Sequence, residues 1–153
     1  MRVGIGYDVH RLGSGRELVL GGVRIDHPSG LVGHSDADVL THAVIDALLG
    51  AAGLGDIGKL FPADDPKFKG ASSLDLLATT VEAVRGAGYR IVNVDSTVIA
   101  EEPRLASHLK AIRSNLAVRI GIEAVSVKAT SPEGLGALGA KSGIAAQAIA
   151  LIE

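Results

Sequence analysis

A chain of 153 residues with 15 basic and 17 acidic side chains carries a net charge near −2, which excludes whole-molecule attraction to nucleic acid or anionic membrane. It is 47% hydrophobic but 3% aromatic, so its core is aliphatic, and an intrinsically disordered chain is excluded. No cysteine occurs, which removes disulfides, thiolate metal sites and thiol nucleophiles.

The length predicts one catalytic-size domain over residues 1–153. The start reads directly as a strand with no signal segment before it, and no apolar run reaches the ~18 residues needed to span a bilayer. A soluble, cytoplasmic protein is expected. The high apolar fraction for so small a chain also points to surface buried by another subunit.

Val3, Ile5, Tyr7 and Val9 alternate with Gly4, Gly6, Asp8 and His10, the period of a first strand. Leu18–Leu20 and Val23–Ile25 flank Gly21-Gly22 and predict a hairpin. Ser35, with Asp38 three residues on, resembles a capping box and predicts a helix start. Val39, Leu40, Ala43, Val44, Ala47, Leu48 and Ala51 then recur at helical spacing until Gly53. A second helix is expected over Ser73 to Arg85 and a β-branched strand over Ile91 to Ala100. A third helix is expected from Arg104 to Ile120, and a strand over Val125 to Thr130. Gly143 to Glu153 is ambiguous by periodicity; a strand is preferred, because Ile144, Ala146, Ala148, Ala150 and Ile152 share one face. This order predicts an α/β (α+β) fold, a single mixed sheet covered on one side by about three helices.

Asp8 and His10, at i and i+2 of a strand, project from one face. His42, on a polar helical stripe with Ser35, Asp38 and Asp46, is the candidate third ligand. Two His and one carboxylate form a recognised catalytic zinc set with an open position, and Asp46 or Asp38 is placed to hold the other imidazole nitrogen. Spacing alone leaves a second reading open: local hydrogen bonds at a strand end and a solvent-facing helical His. His34-Ser35 before a helix offers side chains and free backbone amides as a phosphate seat, or simple capping. Asp56 to Pro66 is too long and mixed for a plain turn and reads as a functional loop. Thr130-Ser131-Pro132-Glu133-Gly134 places two hydroxyls and a carboxylate beyond a strand, suited to a diphosphate with its cation or to a polar turn. Gly4-x-Gly6 is a weak remnant of a dinucleotide motif.

The runs Gly6-Tyr7-Asp8-Val9-His10-Arg11, Gly33 to Val39 with His42, and Asp56 to Pro62 resemble one enzyme family end to end. So do Ile99 to Arg104 and Lys128-Ala129-Thr130. The family is that of the 2-C-methyl-D-erythritol 2,4-cyclodiphosphate synthases of non-mevalonate isoprenoid synthesis. The resemblance implies Asp8, His10 and His42 as zinc ligands. It implies His34 and Ser35 beside the substrate phosphates, with His34 and Ser131 in catalytic roles. Asp56, Ile57, Gly58, Phe61 and Asp65 would hold the methylerythritol phosphate, and Ala100, Arg104, Leu105 and Ala106 the cytidine. Thr130, Ser131 and Glu133 would seat the diphosphate with magnesium or manganese, bound by Glu133. A homotrimer with sites between neighbouring chains is implied as well.

The implied reaction is attack of the substrate 2-phosphate on the β-phosphorus of its own CDP group, releasing CMP and forming a cyclic diphosphate. Its nucleophile is already an anionic oxygen, so the site must suppress anion repulsion and hold an in-line geometry. Ala63, Ser131-Pro132, Ala137 and Ala140 depart from the family pattern. Ala137 and Ala140 replace an aromatic residue and an Arg that line a central trimer channel, so isoprenoid-diphosphate binding there does not transfer. Two other classes remain: a zinc-dependent phosphoester hydrolase, and a non-catalytic nucleotide-binding trimer with structural zinc.

Overall fold

The computed structural model describes all 153 residues. A five-stranded mixed sheet has the order β4-β1-β7-β5-β6, formed by Ser29–Leu31 (β4), Arg2–Ser14 (β1), Gly143–Ile152 (β7), Ile91–Ile99 (β5) and Val125–Thr130 (β6). The pair β5–β6 is parallel; the other neighbours run antiparallel. Leu18–Leu20 (β2) and Val23–Ile25 (β3) form the expected hairpin. Gly21 and Gly22 turn it at φ of 54° and 70°, a left-handed pair that glycine adopts without a Cβ penalty.

The ambiguous C-terminal stretch is a strand, and it lies at the centre of the sheet. Its predicted inward set, Ile144, Ala146, Ala148, Ala150 and Ile152, is buried throughout. Strand β1 runs four residues past His10, because Leu12 to Ser14 pair with β4, a strand too short to show a period.

Helix α1 (Val39–Ala52) packs on β1 and β7, α3 (Ser73–Gly86) packs on α1 and α4, and α4 (Leu109–Ile120) packs on β6. The close seat of α1 depends on Gly4 and Gly6. A Cβ at Gly4 would lie 2.0 Å from the Ala47 carbonyl oxygen, and one at Gly6 would lie 1.9 Å from that of Ala43. The two glycines therefore serve helix packing on the sheet, not a nucleotide.

Two expected helix starts move. α1 begins at Val39 with Asp38, not Ser35, as its cap; the Asp38 carboxylate accepts from Thr41 N at 3.0 Å. α4 begins at Leu109 rather than Arg104, because Leu105 is buried and its carbonyl accepts from both His108 and Leu109 in a separate turn. The Asp56 to Pro66 loop contains the short helix α2 (Ile57–Leu60), and a 3-10 turn follows at Pro66–Phe68. A one-turn helix, α5 (Gly136–Gly139), precedes β7.

One cluster of 35 buried residues joins the helices to the inner sheet face. On the outer face Val3, Ile5, Tyr7 and Val9 stay 67%, 69%, 53% and 47% exposed. No helix is long and apolar enough to cross a membrane.

Candidate active site

Strand alternation turns Asp8 and His10 toward α1, where His42 is the fourth helical residue and 8% exposed. Asp8 Oδ2 lies 2.9 Å from His10 Nε2 and 3.0 Å from His42 Nδ1. The two imidazole nitrogens are 3.2 Å apart. Four-coordinate zinc with bonds near 2.0–2.1 Å places neighbouring donors ~3.3 Å apart. A near-equilateral set of one carboxylate oxygen and two imidazole nitrogens fits that geometry with little adjustment. Asp8, His10 and His42 thus form a candidate metal-binding triad.

Electrostatics agree with this placement. Burial pushes the Asp8 carboxyl up, but the hydrogen bonds and charges of His10 and His42 together outweigh it and hold it well below the usual carboxylate range. The hydrogen bond to Asp8 raises His10 against the opposing effect of burial. The other Asp8 oxygen accepts from Val9 N at 2.8 Å, and His10 Nδ1 bonds the Val32 carbonyl at 2.9 Å.

The expected support from Asp38 or Asp46 is not found. Burial raises both carboxyls, and both are engaged elsewhere. Asp38 accepts from Gly21 N, Gly22 N, Thr41 N and Thr41 Oγ1, tying the β2–β3 turn to the helix start. Asp46 accepts from Ile57 N at 2.7 Å and anchors α2. The far nitrogen of His42 instead meets two hydroxyls, Ser73 Oγ at 2.9 Å and Ser35 Oγ at 3.1 Å. Around the start of α1 the amides of Ala37, Asp38 and Thr41 are already paired, with Ser35 Oγ, Asp36 Oδ1 and Asp38 Oδ1, while His34 and Ser35 line the triad cavity.

The triad opens into a cavity of about 220 Å³ that His34, Ser35, Ile57, Gly58 and Phe61 also line. Ala63, Phe68 and Leu76 complete its wall; the last two carried no polar or motif signal in the sequence. Asp56 and Asp65 cap α2 and the 3-10 turn, accepting from Lys59 N and Lys67 N at 2.9 Å each. A second cavity, about 420 Å³, lies where β5 and β6 end, lined by Ala100, Arg104, Leu105, Ala106, Thr130 and Ser131 among others. Glu101, not singled out from sequence, organises its loop: its Oε2 accepts from Ser131 Oγ at 3.0 Å and Gly134 N at 3.1 Å. Glu133 sits there at φ 55°, a left-handed conformation uncommon for a non-glycine residue.

The YgbB family model matches residues 1–153. The chain belongs to this family. A relative named 2-C-methyl-D-erythritol 2,4-cyclodiphosphate synthase, from Syntrophomonas wolfei subsp. wolfei, is 60% identical over 155 residues, covering 100% of this chain and 99% of the relative. The bifunctional IspDF of Campylobacter jejuni has a TM-score of 0.95 at 44% identity; the match covers 99% of this chain and 42% of that longer one. A CDP-bound form of 2C-methyl-D-erythritol-2,4-cyclodiphosphate synthase has a TM-score of 0.91 at 36% identity, with 99% and 100% covered.

For a YgbB-family chain, the two cavities occupy instructive places. They share no lining residue. Val9, Ala145, Ile99 and Thr130 stand side by side across β1, β7, β5 and β6. Three strand spacings separate the first from the last, about 14 Å. The triad and the Thr130 loop therefore lie at one end of the sheet but toward opposite edges.

Proposed function

We propose that this chain cyclises 4-diphosphocytidyl-2-C-methyl-D-erythritol 2-phosphate to 2-C-methyl-D-erythritol 2,4-cyclodiphosphate, releasing CMP. The observation that carries the reading is the Asp8–His10–His42 donor triangle in a cavity rimmed by His34 and Ser35, in a chain whose relatives bear that synthase name. Zinc is the metal that this donor set suits, supplying Lewis acidity and charge neutralisation when bound.

His34 and Ser35 line the phosphate side and present a ring nitrogen and a hydroxyl to its oxygens. Ile57, Gly58 and Phe61 give an apolar wall for the methylerythritol carbons, with Asp56 and Asp65 at the loop's polar ends. Ala100, Leu105 and Ala106 shape the cytidine pocket, and Arg104 brings a positive charge to it. Thr130 and Ser131 hold the diphosphate, the Ser131 hydroxyl turning its one proton from Glu101 to a phosphate oxygen when substrate binds. Glu133 takes magnesium or manganese through its carboxylate, consistent with the preference of Mg²⁺ for one or two carboxylates plus phosphate oxygens. Its left-handed backbone supports a functional role. Preorganised donors of this kind contribute about 2.7–4 kcal/mol each to a transition state. The 2-phosphate is its own nucleophile, so none of these groups must act as a strong base.

The working unit in this reading is a homotrimer. Each chain carries the metal cavity toward one sheet edge and the nucleotide cavity toward the other, and a head-to-tail ring brings unlike edges together. The uncovered apolar row Val3, Ile5, Tyr7 and Val9 supplies surface for that contact. A cytoplasmic location accords with this soluble-substrate chemistry. Three convincing protein ligands argue against structural zinc, which normally takes four.

The test is CMP release from the linear substrate, followed chromatographically with and without chelator, alongside the solution mass. Metal-dependent release by a particle three times the 15.6 kDa chain is expected. Absence of CMP release from metal-loaded protein would reject the activity, and a stable single-chain mass would reject the shared site.

A further inference from the structure

We propose that Asp36 and Ser73 form a positioning relay that sets the hydrogen-bond polarity of His42 and thereby aims its Nδ1 at the metal. The inference rests on the metal-site reading above and adds two residues to it.

The polarity follows from counting donors. His42 Nδ1 faces Asp8 Oδ2 and His10 Nε2, so a ring that presents its Nδ1 lone pair to a metal carries its proton on Nε2. That N–H needs an acceptor. Ser73 Oγ is 2.9 Å away, and its hydroxyl is fully buried. A serine oxygen both donates and accepts, so either sense is available until its own proton is fixed. Asp36 fixes it: the Ser73 hydroxyl donates to Asp36 Oδ1, and Ser73 N donates to Asp36 Oδ2 at 2.9 Å. An ionised carboxylate can only accept. With a metal in place, the chain of donation therefore runs from His42 to Ser73 to Asp36, and the Nδ1 lone pair is left for the metal rather than its proton for Asp8.

Asp36 is itself held. Its backbone N–H donates to the Ala71 carbonyl at 3.1 Å, and its Oδ1 accepts from Asp38 N at 3.2 Å. Its carboxylate also sits at the first turn of α3, whose own Ser72 makes no side-chain cap bond; a negative charge is favourable there. The relay thus joins the loop before α1, the start of α3 and the metal cavity. Ser35, the other neighbour of His42 Nε2 at 3.1 Å, accepts from Ala37 N and bonds no carboxylate that would set its direction. A partner behind a metal-bound imidazole orients the ring and raises its basicity, and its loss commonly weakens metal binding 10–100-fold. Here a hydroxyl stands between the carboxylate and the ring.

The test is zinc affinity by chelator competition, and the visible absorption of the cobalt-substituted protein, for wild type, Ser73→Ala, Asp36→Asn and the double variant. Ser72→Ala is the helix-start control and His42→Ala the site control. Melting of each metal-free variant reads the structural role of Asp36 separately. The relay predicts that both single variants lose roughly 10–100-fold in zinc affinity and shift the cobalt bands. The double variant should be little worse than Ser73→Ala, because Asp36 acts through Ser73. Ser72→Ala should bind as wild type does. Wild-type affinity in either folded single variant, or fully additive losses, would overturn the relay, and if one single variant fails to fold the other decides. Zinc affinity unchanged in His42→Ala would instead overturn the metal-site reading itself.

Discussion

Asp8 and His42, 34 positions apart in the chain, meet with carboxylate Oδ2 and imidazole Nδ1 3.0 Å apart. That contact exists because Gly4 and Gly6 let α1 sit against β1 closely enough for a helical side chain to reach a strand carboxylate. Packing and chemistry are joined at this point: the residues that lack side chains set the position of those that bind.

His42→Ala removes one of three donors and leaves a two-ligand remnant. Metal content should fall close to zero and turnover with it. Unfolding should remain cooperative, since the ring is one residue beside a core of 35. Elemental analysis with urea titration checks both halves. Full metal occupancy in the folded variant would exclude His42 as a ligand.

The pH dependence of metal uptake follows from His10. Its hydrogen bond to Asp8 raises its pKa above 6.5 against the effect of burial. In metal-free protein the stabilisation from that pair is complete below the unfolded value of 6.5 and is lost as pH rises through the higher folded value. A metal requires Nε2 unprotonated. Apparent zinc affinity should therefore fall as pH is lowered from 8 to 6, with protons released on binding. Competition titrations across this range measure it; a flat profile would count against His10 as a ligand.

Asp38 is fully buried and accepts four hydrogen bonds from Gly21, Gly22 and Thr41. Asp38→Ala leaves buried donors without partners, which costs about 1–3 kcal/mol for each group left unsatisfied. Three of the four donors, Gly21 N, Thr41 N and Thr41 Oγ1, are buried, so a loss of about 3 kcal/mol or more is expected from urea unfolding. A variant within 0.5 kcal/mol of wild type would show that the β2–β3 turn and α1 do not depend on this carboxylate.

Glu133→Gln keeps the shape of the loop but removes the charge that a hard cation needs. The variant should require much more magnesium for half-maximal rate while keeping its triad metal. An unchanged magnesium titration would return Glu133 to the status of an exposed turn residue.

Much of this architecture could be read from the chain. The alternation of β1 placed Asp8 and His10 on one face, and helical spacing brought His42 to the same side. The inward set of β7, Ile144 to Ile152, was legible only as a preference, since Ala145, Ile149 and Leu151 make the opposite face apolar too. Local pattern failed where long-range contacts decide. Ser35 has the composition of a cap, but Asp38 is the residue that reaches the turn glycines and Thr41, so it takes the helix start. Asp46 has the spacing to support His42, but it faces the amide of Ile57. Ser73, which does meet His42, lies 31 residues away at another helix start, and no periodicity marks it. Glu101 organises the Thr130 loop from 30 residues upstream of Ser131, a pairing that only the parallel β5–β6 register reveals.

Phosphorus NMR of the product formed from 4-diphosphocytidyl-2-C-methyl-D-erythritol 2-phosphate tests the proposed activity most directly, because CMP release alone is shared with hydrolysis. Cyclisation predicts CMP together with two coupled diphosphate resonances, both phosphorus atoms now esterified within one ring. CMP accompanied by a linear methylerythritol bisphosphate would contradict it and assign the same triad to a hydrolase.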